Sequence, residues 1–139
     1  MLKRIIFFLC AISFIVFIGC NKAEDELVGS SWLLESMMAE DTTEVVWHFK
    51  NDHSLVRVCN YINDTIGTVA DTAYYSFEDE LTFTAIKIIE AKNSECLAFI
   101  NGFFRIEKIS DNLLVITRYK MSDETTGGAY LRREFTRRN

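Results

Sequence analysis

The chain predicts an all-β fold, closed as an eight-stranded antiparallel up-and-down barrel, on three observations. Turn-forming clusters punctuate the sequence from Leu27 onward: Asn51-Asp52, Asn63-Asp64, Glu78-Asp79-Glu80, Asn93-Ser94, Asp111-Asn112 and Gly127-Gly128. The runs between them are short and rich in Val, Ile, Thr, Phe and Tyr, the residues that fit a pleated surface. Several runs alternate apolar and polar residues with period two, so one face is wet and the other buried. Sequential short strands most simply close on themselves, which leaves no unpaired edge. A two-sheet sandwich is the competing arrangement.

Eight strands are expected, at about 31–38, 43–50, 54–61, 66–77, 81–89, 96–107, 113–120 and 129–137. In the first, Ser36-Met37-Met38-Ala39-Glu40 also suits a helix. In the second, Val45, Trp47 and Phe49 share one face, with His48 and Lys50 opposite. The fifth places Leu81, Phe83 and Ala85 on its apolar face. In the sixth, Phe104 and Ile106 alternate with Arg105 and Glu107, and in the eighth Leu131 and Phe135 alternate with Arg132 and Glu134. Residues 86–89 and 113–116 are apolar on both faces, as in central or covered strands. The candidate core or pocket residues are Trp32, Trp47, Phe49, Phe83 and Phe104.

The N-terminus has a different logic. Lys3 and Arg4 precede an apolar run over 5–18 whose only polar residue is Ser13. A basic start, an apolar stretch of roughly 7–15 residues and a small residue before the cut make a secretory leader. The stretch falls short of the roughly 20 residues that span a bilayer. Phe17-Ile18-Gly19-Cys20 resembles a bacterial lipobox, which implies cleavage before Cys20 and its modification by lipid; an ordinary secretory leader is the alternative. The domain plan is then 1–19 leader, 20–27 lipidated cysteine and acidic tether, and 28–139 barrel. Asn21-Lys22-Ala23-Glu24-Asp25-Glu26 carries no helix or strand pattern and reads as the tether. It also resembles the acidic signal that follows the lipidated cysteine in surface lipoproteins of some Gram-negative bacteria. That implies an outer-membrane protein displayed at the surface rather than facing the periplasm.

About 110 residues remain for the fold, enough for one domain with a modest core. The chain carries 20 acidic and 15 basic residues, and Lys3 and Arg4 leave with the leader. That balance disfavours nucleic acid as a partner. Arg118, Lys120, Arg132, Arg133, Arg137 and Arg138 make the C-terminus basic, either as solvated strand faces or as a rim that contacts an anion.

Cys10 departs with the leader and Cys20 takes lipid, which leaves Cys59 and Cys96 in a compartment that permits disulfides. They form one bridge or stay as two buried thiols. No nucleophile, base and orienting group recur at a spacing that marks catalysis, so no catalytic residue is assigned. His48 and His53 have irregular spacing for a metal site with Asp52 or Glu44, and neither a metal nor another cofactor is expected. Glu78-Asp79-Glu80 reads as a solvated hairpin loop.

Three resemblances add to this reading. Leu27-Val28-Gly29-Ser30-Ser31-Trp32, followed by an apolar run, resembles the opening strand of lipocalin-like domains, where a Trp packs across the barrel base. The segment Phe103-Phe104-Arg105-Ile106-Glu107-Lys108-Ile109-Ser110-Asp111-Asn112-Leu113-Leu114-Val115-Ile116 is similar to a hairpin of small bacterial lipocalin-like lipoproteins. Trp32-Leu33-Leu34, a Trp/Phe strand and Cys59-Asn60-Tyr61 are similar to the β domain of heat-shock/META-type envelope lipoproteins. Asp41-Thr42-Thr43, Asp64-Thr65-Ile66 and Asp71-Thr72-Ala73 resemble an O-glycosylation motif of some envelope bacteria, which implies modification at Thr42, Thr65 and Thr72. Together these imply a lipid-anchored, non-enzymatic protein whose partners are the membrane and either a small hydrophobic ligand or an envelope protein. In the META-like alternative the domain is solid and acts as a structural or interaction module.

Overall fold

The computed structural model describes residues 22–36, 42–62, 67–94 and 96–139. The leader, Cys20, Thr65 and the helix-suited residues Met37 and Met38 lie outside the described residues. The strands are β1 (Ser31–Leu34), β2 (Thr43–Phe49), β3 (Ser54–Tyr61), β4 (Thr68–Asp79), β5 (Thr84–Ile89), β6 (Gly102–Ile109), β7 (Leu113–Lys120) and β8 (Leu131–Arg137). Each pairs antiparallel with its neighbours in sequence, and β8 returns to β1, so the sheet closes as an up-and-down barrel. Closure is the physical gain here: eight short strands expose no ladder edge along most of the wall.

Alternation along each strand decides what fills the interior. Trp32 and Leu34 of β1, Val45, Trp47 and Phe49 of β2, Ile86 and Ile88 of β5, Phe104 and Ile106 of β6, Leu114 and Ile116 of β7, and Leu131 and Phe135 of β8 build one apolar cluster. The rings interlock: Trp47 lies 4.8 Å from Phe135, and Phe49 meets Tyr75 edge-on at 5.1 Å. Offset and edge geometries of this kind add to simple burial. A register shift between Ile106 and Lys108 bulges β6 and turns Ile109 back against the core.

Several sequence expectations need correction. Residues 22–27 form a helix, α1, rather than a free tether. Ala23 and Leu27 sit four apart on one helical face and are both buried, and Gly29 at φ +76° ends the turn. β1 stops at Leu34, β5 starts at Thr84, and β6 starts at Gly102 instead of 96. Phe83, expected in the core, lies in the β4–β5 turn outside the core cluster. It packs edge-on against Tyr119 at 5.4 Å, with the Arg105 guanidinium 4.0 Å over its ring. The inward residues of β5 are Ile86 and Ile88, so the alternation there runs opposite in phase to Leu81, Phe83 and Ala85.

The two ends of the barrel differ. Short turns at 50–53, 80–83 and 110–112 gather at one end, with α1 packed across it. There Trp32 donates its indole N–H to Ser30 at 2.6 Å, while Ser30 donates to the Leu27 carbonyl. Arg137 stacks 4.6 Å over the Trp32 ring and donates to Glu26 of α1 at 2.6 Å. Tyr75 donates to the Lys50 carbonyl at 2.7 Å. This is the base across which a Trp was expected to pack. The opposite end carries the longer connections, 35–42, 62–67, 90–101 and 121–130.

Candidate binding site at the loop end

The β5–β6 connection, 90–101, folds inward as a lid over the loop end. Leu97 and Ile100 point into the barrel and are 1% exposed. Three devices hold it. The first is Arg57, 1% exposed on the inner face of β3, where its register partner on β4 is Asp71. Arg57 donates to both Asp71 oxygens, at 2.9 and 2.7 Å, and also to the carbonyls of Ala98 at 2.6 Å and Lys92 at 2.8 Å. Asp71 in turn accepts the Lys92 amide at 2.9 Å. A buried charge is tolerated when its donors are spent in this way.

The second device is the disulfide between Cys59 and Cys96, with Cα atoms 6.3 Å apart. That distance lies within the reach of a normal bridge. The third is Arg118 on β7, which donates to Ala129 at 2.8 Å and, through one nitrogen, to Phe99 and Asn101 at 3.2 Å each. Gly102 makes room for it: at φ +140°, a Cβ there would meet the Lys120 carbonyl at 2.5 Å and Arg118 Cδ at 2.8 Å. No other residue type fits that approach. Asn101 closes the lid's neck by accepting the Ala91 amide at 2.8 Å and donating to its carbonyl at 3.1 Å.

A third inward arginine is handled differently. Arg133 shares the inner face of β8 with Leu131 and Phe135 and is half-buried. Among the described residues its guanidinium has no hydrogen bond and no ion pair. Burial lowers its pKa, and Arg118 is lowered as well, first by burial and then by the nearby charge of Arg133. Both remain cations at neutral pH. Arg133 lines two spaces. One is an inner cavity of about 70 Å³ bounded by Leu34, Val45, Trp47, Arg57, Leu97 and Ile100 among others. The other is a cleft of about 430 Å³ outside it, against Glu35, Ser36 and 130–134. The inner cavity holds a few waters or one small polar group, while the cleft is in the size range of sites for small molecules.

The two carboxylates in the cleft are already engaged. Glu35 accepts from Thr136 at 2.6 Å, and Glu134 pairs with Arg132. Of the expected core or pocket residues, Trp47 borders the inner cavity, while Trp32, Phe49 and Phe104 are fully buried packing residues. His48 faces outward, within 2.7 Å of the Ser31 hydroxyl, and burial followed by Lys50 and Arg138 lowers its pKa. His53 packs against Tyr75 at the turn end with the rings tilted, 5.3 Å between centroids. No three potential metal ligands converge among the described residues. Thr42 and Thr72 are both exposed.

Arg57, Asp71, Arg118 and Arg133 were not singled out from sequence as a group. A signal existed for Arg133, which alternates in phase with Leu131 and Phe135. Of the basic C-terminal set, Arg118, Arg133 and Arg137 turn inward, which corrects the expectation of solvated faces for those three. Compared with protein-family models, curated proteins and solved structures, the chain finds no match.

Proposed function

We propose that the chain is a lipid-anchored outer-membrane protein whose lipocalin-like barrel is a non-enzymatic module that binds a small hydrophobic ligand at its loop end. The anchor rests on the leader and on Phe17-Ile18-Gly19-Cys20. The binding role rests on one observation, the cleft of about 430 Å³ beside β8, above a barrel otherwise filled by its own side chains. A ligand would sit in the mouth rather than thread the barrel. Helix α1 starts two residues after Cys20, and two extended residues span about 7 Å. Acyl chains on Cys20 would therefore hold the turn end at the bilayer and leave the cleft facing away. Display at the cell surface, as the acidic run after Cys20 implies, would present it to the exterior.

A second reading has its own observation. Ile62, Phe99 and Tyr130, 61%, 42% and 75% exposed, all belong to loop-end connections, and the core beneath them is nearly solid. That suits a META-like interaction module that docks a protein partner.

Titration of the full acylated chain with the neutral fluorophore N-phenylnaphthylamine separates the two. The binding reading expects one saturable site, weakened about tenfold by Leu131→Glu, since a charge placed on an apolar wall removes transfer energy. Absence of a saturable site would transfer the assignment to the second reading. The anchor is checked by mass spectrometry of the N-terminal peptide, which should carry acyl chains, and by Cys20→Ser, which should abolish them. Protease shaving of intact cells should remove the barrel if it is surface-displayed and spare it if it faces the periplasm.

A further inference from the structure

We infer that the loop-end cleft selects an amphiphile with a single negative charge, a carboxylate on an apolar chain, and that Arg133 is the group that recognises its head. The inference rests on the binding reading above and names the ligand class.

Three features converge on it. Arg133 is the inward cation that spends no donor on any described protein group, in contrast to Arg57, whose donors reach Asp71, Lys92 and Ala98. A half-desolvated guanidinium without a counter-charge favours an anion, which it can grip with two parallel N–H donors. Arg118, close enough for the two charges to be felt by each other, donates through Nε and Nη1 to Ala129, Phe99 and Asn101. The inner cavity has Arg57 as well as Arg133 on its wall, so an anion there meets a second cation.

The sizes divide the ligand. The inner cavity of about 70 Å³, bounded by Arg133, Arg57 and Trp47, accepts a head group and excludes a chain. The chain belongs in the outer cleft of about 430 Å³, along Leu131 and Tyr130. Charge then limits the head. Glu35 and Glu134 line the same cleft, and although each has a partner, their fields oppose a second negative charge. A monoanion is favoured over a dianionic phosphate monoester for that reason.

Trp47 borders the inner cavity and supplies the readout, because a bromine atom there quenches its fluorescence; Trp47→Phe, which leaves only its register partner Trp32 to emit, gives the baseline. The probes are 2-bromooctanoate and 2-bromooctanol, which carry the bromine beside the head group and differ in charge. They are titrated into the full acylated chain in a nonionic detergent. Arg105→Gln, which removes a cation from the outer face of β6, corrects for overall charge and micelle partition. The expected result is saturable quenching by the acid and at least tenfold weaker binding of the alcohol. Arg133→Gln should weaken the acid about tenfold and leave the alcohol unchanged, and Arg133→Lys should recover part of the loss. Equal affinity for acid and alcohol, or an Arg133→Gln variant that binds the acid normally, would overturn the inference while the cleft remained a binding site. Failure of both probes to saturate would overturn the inference and the binding reading together. Unchanged near-ultraviolet circular dichroism of Arg133→Gln shows that the fold is kept.

Discussion

The two ends of this barrel place arginines under opposite rules. At the turn end, Arg137 seals: it sits over the Trp32 ring, ties itself to Glu26 and closes a base built from α1 and three short turns. At the loop end, Arg57 and Arg118 also seal, by clasping the lid, but Arg133 beside them is left unspent over two open spaces. The difference teaches where to look for function in a small filled barrel. A buried arginine that spends donors on neighbouring protein groups holds the fold together, and one that spends none is the place to look for recognition.

The contrast can be broken most severely at Arg57. Arg57→Met would strand Asp71, whose side chain is 5% exposed, and release the lid carbonyls. Loss of one member of a buried pair costs about 3–5 kcal/mol, and chemical denaturation should report a drop of that size. Reduction of Cys59–Cys96 comes next. The cysteines are 37 residues apart, and closure of a loop that long is worth about 3–4 kcal/mol in the chain-entropy model. Hydrogen exchange after reduction should quicken first in 91–101 and leave 22–30 slow.

The sealed end is sharpened by pH. Burial, with Asp52 and Glu24 adding, pushes the Tyr75 phenol up to about 12, against an ordinary value near 10. A raised pKa means the folded state holds the proton, so the stabilisation is complete below about pH 10 and is lost as pH rises toward 12. The loss is about 2–3 kcal/mol, and Tyr75→Phe should flatten the decline between pH 9 and 12 in denaturation series. The smallest effect is expected at Arg133. Arg133→Met should change stability by less than about 1 kcal/mol, because no protein partner is lost and an uncompensated cation is removed. A penalty there comparable to that of Arg57→Met would erase the distinction between the two arginines.

How far the sequence carried this account depends on the kind of signal. The barrel was legible because alternation reports burial directly: Val45, Trp47 and Phe49 turn inward as their spacing requires, and so do Phe104, Leu131 and Phe135. The pairing of Cys59 with Cys96 was one of two open alternatives, since a bridge depends on distance in the fold and not on spacing along the chain. Helix α1 escaped notice because its acidic residues dominate the composition, although Ala23 and Leu27 stand four apart. Phe83 was misplaced because a turn resets the alternation, and nothing local fixes the phase on its far side. The start of β6 was set too early because Leu97 and Ile100 are apolar for a lid's reason, burial in the mouth, rather than a strand's. The arginine site was the least legible. An Arg within a strand looks like a solvated residue until closure of the barrel decides which face is inside.

Hydrogen exchange of the full acylated chain, with and without 2-bromooctanoate, tests most directly whether the loop end binds while the turn end is a scaffold. Protection on adding the acid should appear in 91–101 and 129–135 and be absent from 22–32 and 49–55. Protection centred on α1 and the turn end, with the lid and β8 unaffected, would contradict the account.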